Sequence, residues 1–148
     1  MPAKERMKQL AVILSVLVSG ACMAQAGDWL TIMGDRKDPA LDTIEVNPIP
    51  VSMTEDHPVM RIRVSRSMQR TNWDGIPFRS YVATVEFDCV NKVGNFLQIT
   101  YYAQPVWTGE PHISTSYTKA DPRVMRFRGV TPNPVERIIR AACRPLLR

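Results

Sequence analysis

Residues 81–89 read YVATVEFDC, an alternation of apolar and polar side chains that ends in a cysteine. Because successive side chains of a strand point to opposite faces, Cys89 shares a face with Tyr81, Val85 and Phe87. This face carries the large apolar residues, so it is predicted to lie on the core. The run therefore predicts a half-buried strand whose thiol points into the interior, and the partner of that thiol determines much of the fold.

The first 26 residues have the pattern of a secretory signal peptide. A basic start, MPAKERMKQ, precedes the apolar run LAVILSVLVSGA, and Ala24 and Ala26 form an A-x-A cleavage pattern. The apolar run is shorter than the roughly 20 residues of a transmembrane helix. We therefore expect cleavage after Ala26 and a mature domain over residues 27–148, with a retained membrane anchor as the alternative.

Cys22 offers a second processing route, because a cut before it, within VSGAC, would leave an N-terminal cysteine for lipid attachment. A lipoprotein signal usually carries Leu three residues before that cysteine, and Ser19 occupies the position here. Without a lipid we expect the protein in the periplasm. A lipid on Cys22 would hold it at a membrane and favour exposure on the outer-membrane surface.

Removal of the leader also removes Cys22 and leaves two cysteines, Cys89 and Cys143. Disulfides persist in exported proteins, so these two are predicted to form the one intramolecular bridge that is available. The competing interpretations are weaker. No C-x-x-C or H-x-x-x-H spacing indicates zinc, and the two histidines, His57 and His112, stand next to prolines in predicted loops.

The second cysteine lies on a predicted C-terminal helix, NPVERIIRAACR. Asn133 is a favourable N-cap, Pro134 suits the first helical position, and Glu136 stands where a capping box places its acidic residue. One face of the helix carries the apolar side chains Val135, Ile138, Ile139 and Ala142, with Cys143 at its edge. A bridge to Cys89 would tie the helix to the sheet across about 55 residues and stabilise the fold by about 4 kcal/mol.

The rest of the mature chain reads as short strands separated by turns. Strands are predicted over 28–34, 42–46, 59–69, 79–89 and 96–107, with a last strand or extended arm over 124–130. Asp74-Gly75 marks the turn of a hairpin over 59–89, and residues 108–123 read as a loop. Strands joined by turns and followed by one helix predict an α+β fold, with an antiparallel sheet and the helix packed on one face.

Charge and motifs disfavour several classes of function. The net charge of +5, part of which lies in the basic leader, is below the signature of a nucleic-acid-binding domain. No glycine-rich phosphate loop follows a strand, and no nucleophile–base pair indicates catalysis. TEDH (54–57) could hold a hard cation but is more typical of a solvated loop. We therefore expect a non-enzymatic protein without a cofactor, a metal ion or a nucleic-acid partner.

Four arginines are candidates for a surface that binds anions or a protein partner. Arg61 and Arg63 alternate with apolar residues of their strand, and Arg126 and Arg128 would point outward if the apolar residues beside them face the core. If the two segments are neighbours, the four guanidinium groups form one stripe that could bind acidic proteins, glycans or lipid headgroups. The alternative is the ordinary solvated face of a sheet.

Aromatic residues are the other candidates for partner contacts. Trp73, Trp107 and Tyr117 lie at loop-like positions, and exposed aromatic side chains are frequent anchors of protein interfaces. The alternative is that the two tryptophans cover the edges of the sheet, because large rings rarely stay exposed. An unpaired edge strand could also pair two copies of the chain, so a homodimer is a further candidate.

The strings GIPFRSYVATVEFDC, ITYYAQP with the following TGE, and PVERIIRAAC, in this order, resemble the surface-adhesin protein E-like family. These are small exported proteins of Gram-negative bacteria, and the resemblance covers most of residues 28–144. It implies an antiparallel sheet of about six strands, the C-terminal helix on its concave side, and the same Cys89–Cys143 bridge.

For function, the resemblance implies a non-enzymatic protein that binds host matrix or serum proteins, located in the periplasm or on the outer-membrane surface. The ligand-binding segments of the family carry no sharp motif, so the resemblance assigns no binding residue in this chain. The alternative is a periplasmic structural or accessory protein of the envelope that binds another bacterial component.

Overall fold

The computed structural model describes residues 27–144, so the predicted leader with Cys22 and its cleavage site lies outside the described residues. Within this range the chain forms seven strands and one helix. The strands are β1 Leu30–Met33, β2 Thr43–Val46, β3 Val59–Thr71, β4 Pro77–Asp88, β5 Val93–Tyr102, β6 Pro111–Ser116 and β7 Arg123–Val124, and the helix is α1 Val135–Cys143.

The sheet is antiparallel throughout, in the order β1-β2-β3-β4-β5-β6, and β7 also pairs with β5. Chain order and spatial order coincide over the first six strands, because each strand connects directly to its neighbour. The helix comes last and packs on one face of the sheet. The predicted α+β fold, with an antiparallel sheet and a C-terminal helix, is confirmed.

The sixth strand lies where the sequence predicted a loop, so that prediction is wrong. Residues 108–123 contain β6, whose side chains are almost all exposed, and no apolar alternation marks it. Pairing with residues 98–102 of β5 supplies its strand conformation instead. Of the two alternatives for residues 124–130, the structure has the extended arm: the strand β7 ends at Val124, and the arm continues without regular structure.

Strand alternation builds one core between the sheet and the helix. On β3, Ile62 and Val64 have no exposed surface, and neither have Val85 and Phe87 on β4. The helix closes the core with the apolar side chains predicted for its buried face, Ile138, Ile139 and Ala142. Each large side chain removed from water in this way contributes about 1.5–3 kcal/mol, so the sheet and the helix stabilise each other.

The helix begins one residue later than predicted. Pro134 occupies the cap position, and its carbonyl accepts the first helical hydrogen bond from Ile138. Asn133 stands before the cap, where its Oδ1 accepts the N–H of Val135 at 3.1 Å. Glu136 forms an ion pair with Arg140 at 3.4 Å rather than a capping box. No helix in residues 27–144 has the length and hydropathy needed to cross a membrane.

The predicted disulfide between Cys89 and Cys143 is confirmed. The Cα atoms of the two residues lie 5.8 Å apart, and the bridge spans 54 residues of sequence. It joins the chain just after β4 to the last residue of α1. In the chain-entropy description, a loop of this length stabilises the fold by about 4 kcal/mol.

After β5 the chain folds back over the face of the sheet opposite the helix. The predicted strand over 96–107 therefore ends early, at Tyr102, and a 3₁₀ turn, Pro105–Trp107, follows. Val106 and Trp107 both have positive φ angles, 55° and 57°. Two serines of the sheet hold this turn, because Ser65 Oγ accepts the N–H of Val106 and Ser80 Oγ accepts the N–H of Trp107. The hydrogen bonds offset the cost of the left-handed backbone.

Candidate functional site

A groove with a volume of about 620 Å³ opens on the helix-bearing face of the sheet, between the end of β3 and the arm that follows β7. Its floor consists of large side chains from β4 and β5, namely Phe78, Tyr81, Phe96, Ile99 and Tyr101. Its rim carries Arg66 and Arg70 from β3 and Arg126 and Arg128 from the arm. We call this the aromatic–arginine groove; its volume falls in the range of sites that bind small molecules or a few side chains of a partner.

The floor of the groove is a rigid aromatic cluster. The ring of Tyr101 lies 5.2 Å from that of Phe78 and 6.0 Å from that of Tyr81, and Tyr81 in turn meets Phe96 edge-on at 6.2 Å. All four side chains are buried, so their rotamers are fixed by packing on the core. The floor is therefore preformed, and little of its own surface is open to solvent.

Trp73 extends this apolar surface towards solvent. Its ring lies 6.1 Å from Phe96 and 5.8 Å from Tyr117, yet 49% of the residue remains exposed. The hairpin turn fixes its position, because Asn72 Oδ1 accepts two backbone N–H groups of the turn and its amide nitrogen donates to Tyr101 Oη at 2.9 Å. Of the two predicted roles for Trp73, this geometry favours a partner contact, since a large half-exposed ring is typical of interface anchors.

The four rim arginines differ in how they are paired. Arg66 is neutralised: its Nε donates to Asp42 Oδ1 at 3.0 Å, and its Nη2 donates to the carbonyl of Arg128 at 3.2 Å. Arg70 has no carboxylate partner in residues 27–144, and its buried Nε has no hydrogen-bond partner there. Arg126 is exposed and makes no ion pair within this range either.

The groove therefore carries an excess of positive charge. Arg128 is exposed like Arg126, and within the described part of the chain no Asp or Glu side chain lines the groove. Only Asp42, which lies beside it, offsets one of the four guanidinium groups. Guanidinium groups without carboxylate partners, next to an apolar floor, favour ligands that combine negative charge with an apolar part.

Two tyrosine hydroxyls of the floor stay protonated at physiological pH. Burial raises the pKa of both Tyr81 and Tyr101 well above the ordinary value for tyrosine. Both groups can therefore donate and accept hydrogen bonds, and they add no negative charge that would cancel the arginine rim.

On the opposite face, Arg63 serves the structure. Its guanidinium lies 4.3 Å from the ring centroid of Trp29 and 4.2 Å from that of Trp107, and it is ion-paired with Glu45, which is fully buried. Arg36 pairs with the same carboxylate at 2.9 Å. Trp107 covers the face of the sheet over β3 and β4, and not an edge of the sheet as the alternative prediction had it. The indole N–H is shared between backbone carbonyls of β3 and β4 at 3.1 and 3.0 Å.

The structure does not assemble the predicted four-arginine stripe. The stripe required β3 and the segment around residue 126 to be neighbours, but β7 pairs with β5, and β4 lies between β5 and β3. Arg61 and Arg63 therefore lie on the face opposite the helix. Arg126 and Arg128 lie at the groove, where they point outward because Met125 and Phe127 are buried, as expected.

Sequence reasoning missed Arg66 and Arg70, although a signal was present. Both have the same even parity as Ile62 and Val64, so the alternation that placed those residues on the core face also applied to the two arginines. The pairing of β3 with β4 is irregular between Ser65 and residue 70. Beyond this irregularity the same face of β3 lies at the rim of the groove and no longer in the core.

The acidic TEDH segment supplies no metal site in the structure. Across residues 27–144 no group of three or more His, Cys, Asp or Glu side chains is placed to hold a metal ion. His57 lies 3.7 Å from Asp88 Oδ2, and both are at the surface.

Comparison with known proteins identifies a family. A family model described as surface-adhesin protein E matches residues 29–144, a range that includes every strand, the helix and both bridged cysteines. No curated protein and no solved structure matches the chain. The description of this family implies a surface or exported protein with a protein-binding role. The chain belongs to the surface-adhesin protein E family.

Proposed function

We propose that this protein is an exported adhesin that binds host matrix or serum proteins through the aromatic–arginine groove. The observation that supports this most is the rim of Arg70, Arg126 and Arg128, which have no carboxylate partner in residues 27–144 and lie near the half-exposed Trp73. Arginine and tryptophan are the residue types in which interface energy concentrates. An arginine-rich surface also attracts acidic partners over a distance of about 10 Å at moderate salt.

Export is part of the same proposal. The predicted leader over residues 1–26 would direct the chain out of the cytoplasm, and the Cys89–Cys143 bridge suits an oxidising compartment. Lipid attachment at Cys22 would place the groove at the outer-membrane surface, where host proteins are accessible. Cleavage after Ala26 would release the domain into the periplasm. There, the alternative role as a structural or accessory protein of the envelope would apply.

The test is binding of the full exported protein, recovered from the envelope, to immobilised matrix and serum proteins. We expect saturable binding to at least one of them, reduced by about tenfold or more in the variant that combines Trp73→Ala with Arg126→Ser and Arg128→Ser. Arg61→Ser is the matched control, since Arg61 is an exposed arginine on the opposite face. No binding to any of these host proteins, or equal loss with the control, would contradict the proposal.

The intact mass of the same material decides between the two locations. A lipid-bearing species that begins at Cys22 supports the surface adhesin. A lipid-free species that begins at Gly27 supports the periplasmic alternative, in which case envelope proteins cross-linked to the groove become the partners to identify.

A further inference from the structure

We infer that the aromatic–arginine groove takes an extended acidic peptide segment of its partner, with one aromatic or aliphatic side chain against Trp73 and carboxylates on the exposed rim arginines. This rests on the proposed function, because it names the chemistry of the partner at the same site. Two features of the groove carry the inference: the exposed guanidinium groups, which have no carboxylate partner in residues 27–144, and the half-exposed ring of Trp73.

The guanidinium groups without carboxylate partners in residues 27–144 select carboxylates. Arg126 and Arg128 are exposed and stand on the same arm, so carboxylates of one segment can reach both. Arg70 adds positive charge behind them, although its Nε is buried and a ligand can reach only its terminal nitrogens.

The exposed apolar surface beside the arginines selects a partner with an apolar side chain. Phe78, Phe96 and Tyr101 are at most 8% exposed, so the apolar surface that a ligand can reach is mainly the half-exposed ring of Trp73, which packs on Phe96. A sulfated glycan would satisfy the arginines but would leave this apolar surface without a matching group.

The small size of the exposed apolar surface distinguishes a peptide from a lipid chain. One half-exposed ring, Trp73, lies near the exposed guanidinium groups of Arg126 and Arg128. A single side chain of an extended segment can cover such a ring while neighbouring carboxylates meet the arginines. An acyl chain would find too little apolar surface to bury its length.

The test uses three labelled heptapeptides and the full protein. The first has a central tryptophan with three Asp or Glu residues on each side. The second replaces the tryptophan by serine, and the third replaces the acidic residues by lysine. We expect the first to bind, with fluorescence anisotropy rising to saturation, and affinity to fall by about tenfold or more for each of the other two.

Variants of the protein locate the site. Arg126→Gln with Arg128→Gln should weaken the first peptide by about tenfold without change in the thermal midpoint, because both arginines are exposed. Trp73→Ala should weaken the peptide by a similar factor and also lower the thermal midpoint, because the Trp73 ring packs on Phe96 and Tyr117. Arg61→Gln is the control and should bind like the unmodified protein. Binding that is insensitive to the groove variants overturns the inference, as does equal affinity for the serine peptide. The inference is also overturned if heparin or anionic phosphatidylglycerol vesicles displace the first peptide from the unmodified protein and from the Trp73→Ala variant alike.

The outcomes separate this inference from the proposed function. If a host protein binds through the groove but no acidic peptide does, the inference fails and the adhesin proposal stands. If the acidic tryptophan peptide binds through the groove but no host protein does, the inference stands and the adhesin proposal fails.

Discussion

On the face opposite the helix, Arg63 lies between the rings of Trp29 and Trp107 and is paired with the buried Glu45. On the helix-bearing face, Arg70 lies at the rim of the groove with a buried Nε that has no partner in residues 27–144. Both faces combine arginines with aromatic rings, but within the described residues a carboxylate pairs with Arg63 and none pairs with Arg70. The comparison indicates that arginine at an aromatic surface stabilises the fold where its charge is matched internally, and becomes available to a ligand where it is not.

The largest expected effect concerns the covalent tie on the groove side. Replacing both cysteines, Cys89→Ser with Cys143→Ser, should lower the free energy of unfolding by about 4 kcal/mol, because the bridge closes a loop of 54 residues. Urea titration followed by tryptophan fluorescence measures this, and the unmodified protein under reducing conditions is the control. A loss below about 1 kcal/mol would mean that the apolar face of α1 holds the helix without the bridge.

The next effect tests the matched charge on the opposite face. Glu45→Gln should lower the free energy of unfolding by about 3 kcal/mol, because it leaves the guanidinium groups of Arg36 and Arg63 around a buried neutral amide. Glu110→Gln, at an exposed position, is the control and should change stability by less than about 0.5 kcal/mol. If both variants behave alike, the ion pairs at Glu45 do not stabilise the fold, and the contrast between the two faces disappears.

A paired substitution compares the two arginines directly. Arg63→Met keeps the aliphatic part of the side chain between the two indole rings but leaves Glu45 short of one partner, so stability should fall by about 2 kcal/mol. Arg70→Met removes a buried donor that has no partner, so stability should stay within about 0.5 kcal/mol or rise. Chemical unfolding of both variants in the same buffer measures the difference. A larger loss for Arg70→Met would show that its guanidinium is structural.

The sequence predicted much more of the sheet, the helix and the disulfide than of the groove. Alternation in β3 and β4 and the apolar stripe of α1 follow from local periodicity, and the cysteine pair follows from elimination, so these were predictable one segment at a time. The strand β6 was not, because its side chains are exposed on both faces and only its pairing with β5 makes it a strand. Local patterns do not contain that information.

The groove required knowledge of which segments meet. Arg126 could be predicted to point outward, but its neighbours depend on the arm passing the end of β3 rather than lying beside Arg61. The position of Trp107 depended on a left-handed turn held by two serines of the opposite face. Pro105 signals a turn, but Val106 and Trp107 are not residue types that favour a positive φ. Contacts between distant segments therefore account for most of what sequence reasoning missed.

The smallest expected effect concerns Asp42, the carboxylate that pairs with the rim arginine Arg66. Burial raises its pKa, but the Ser67 backbone N–H and the Arg66 guanidinium outweigh burial and bring the pKa below the ordinary value for aspartate. Because the folded pKa lies below the unfolded one, ionised Asp42 stabilises the protein fully above the unfolded pKa. This contribution is lost as the pH falls through the lower folded pKa.

The variant Asp42→Asn should therefore unfold at a lower temperature than the unmodified protein near pH 6, and the gap should shrink near pH 3, where other carboxylates titrate equally in both proteins. Differential scanning calorimetry at the two pH values measures the gap. The same variant removes the carboxylate that neutralises Arg66. At neutral pH and low salt it should therefore bind the acidic tryptophan peptide more tightly, by a few-fold. A gap that does not change with pH would show that Asp42 does not stabilise the fold as an ion. Unchanged or weaker peptide binding would show that the charge balance of the groove does not set its affinity, which would remove the distinction drawn between the two faces.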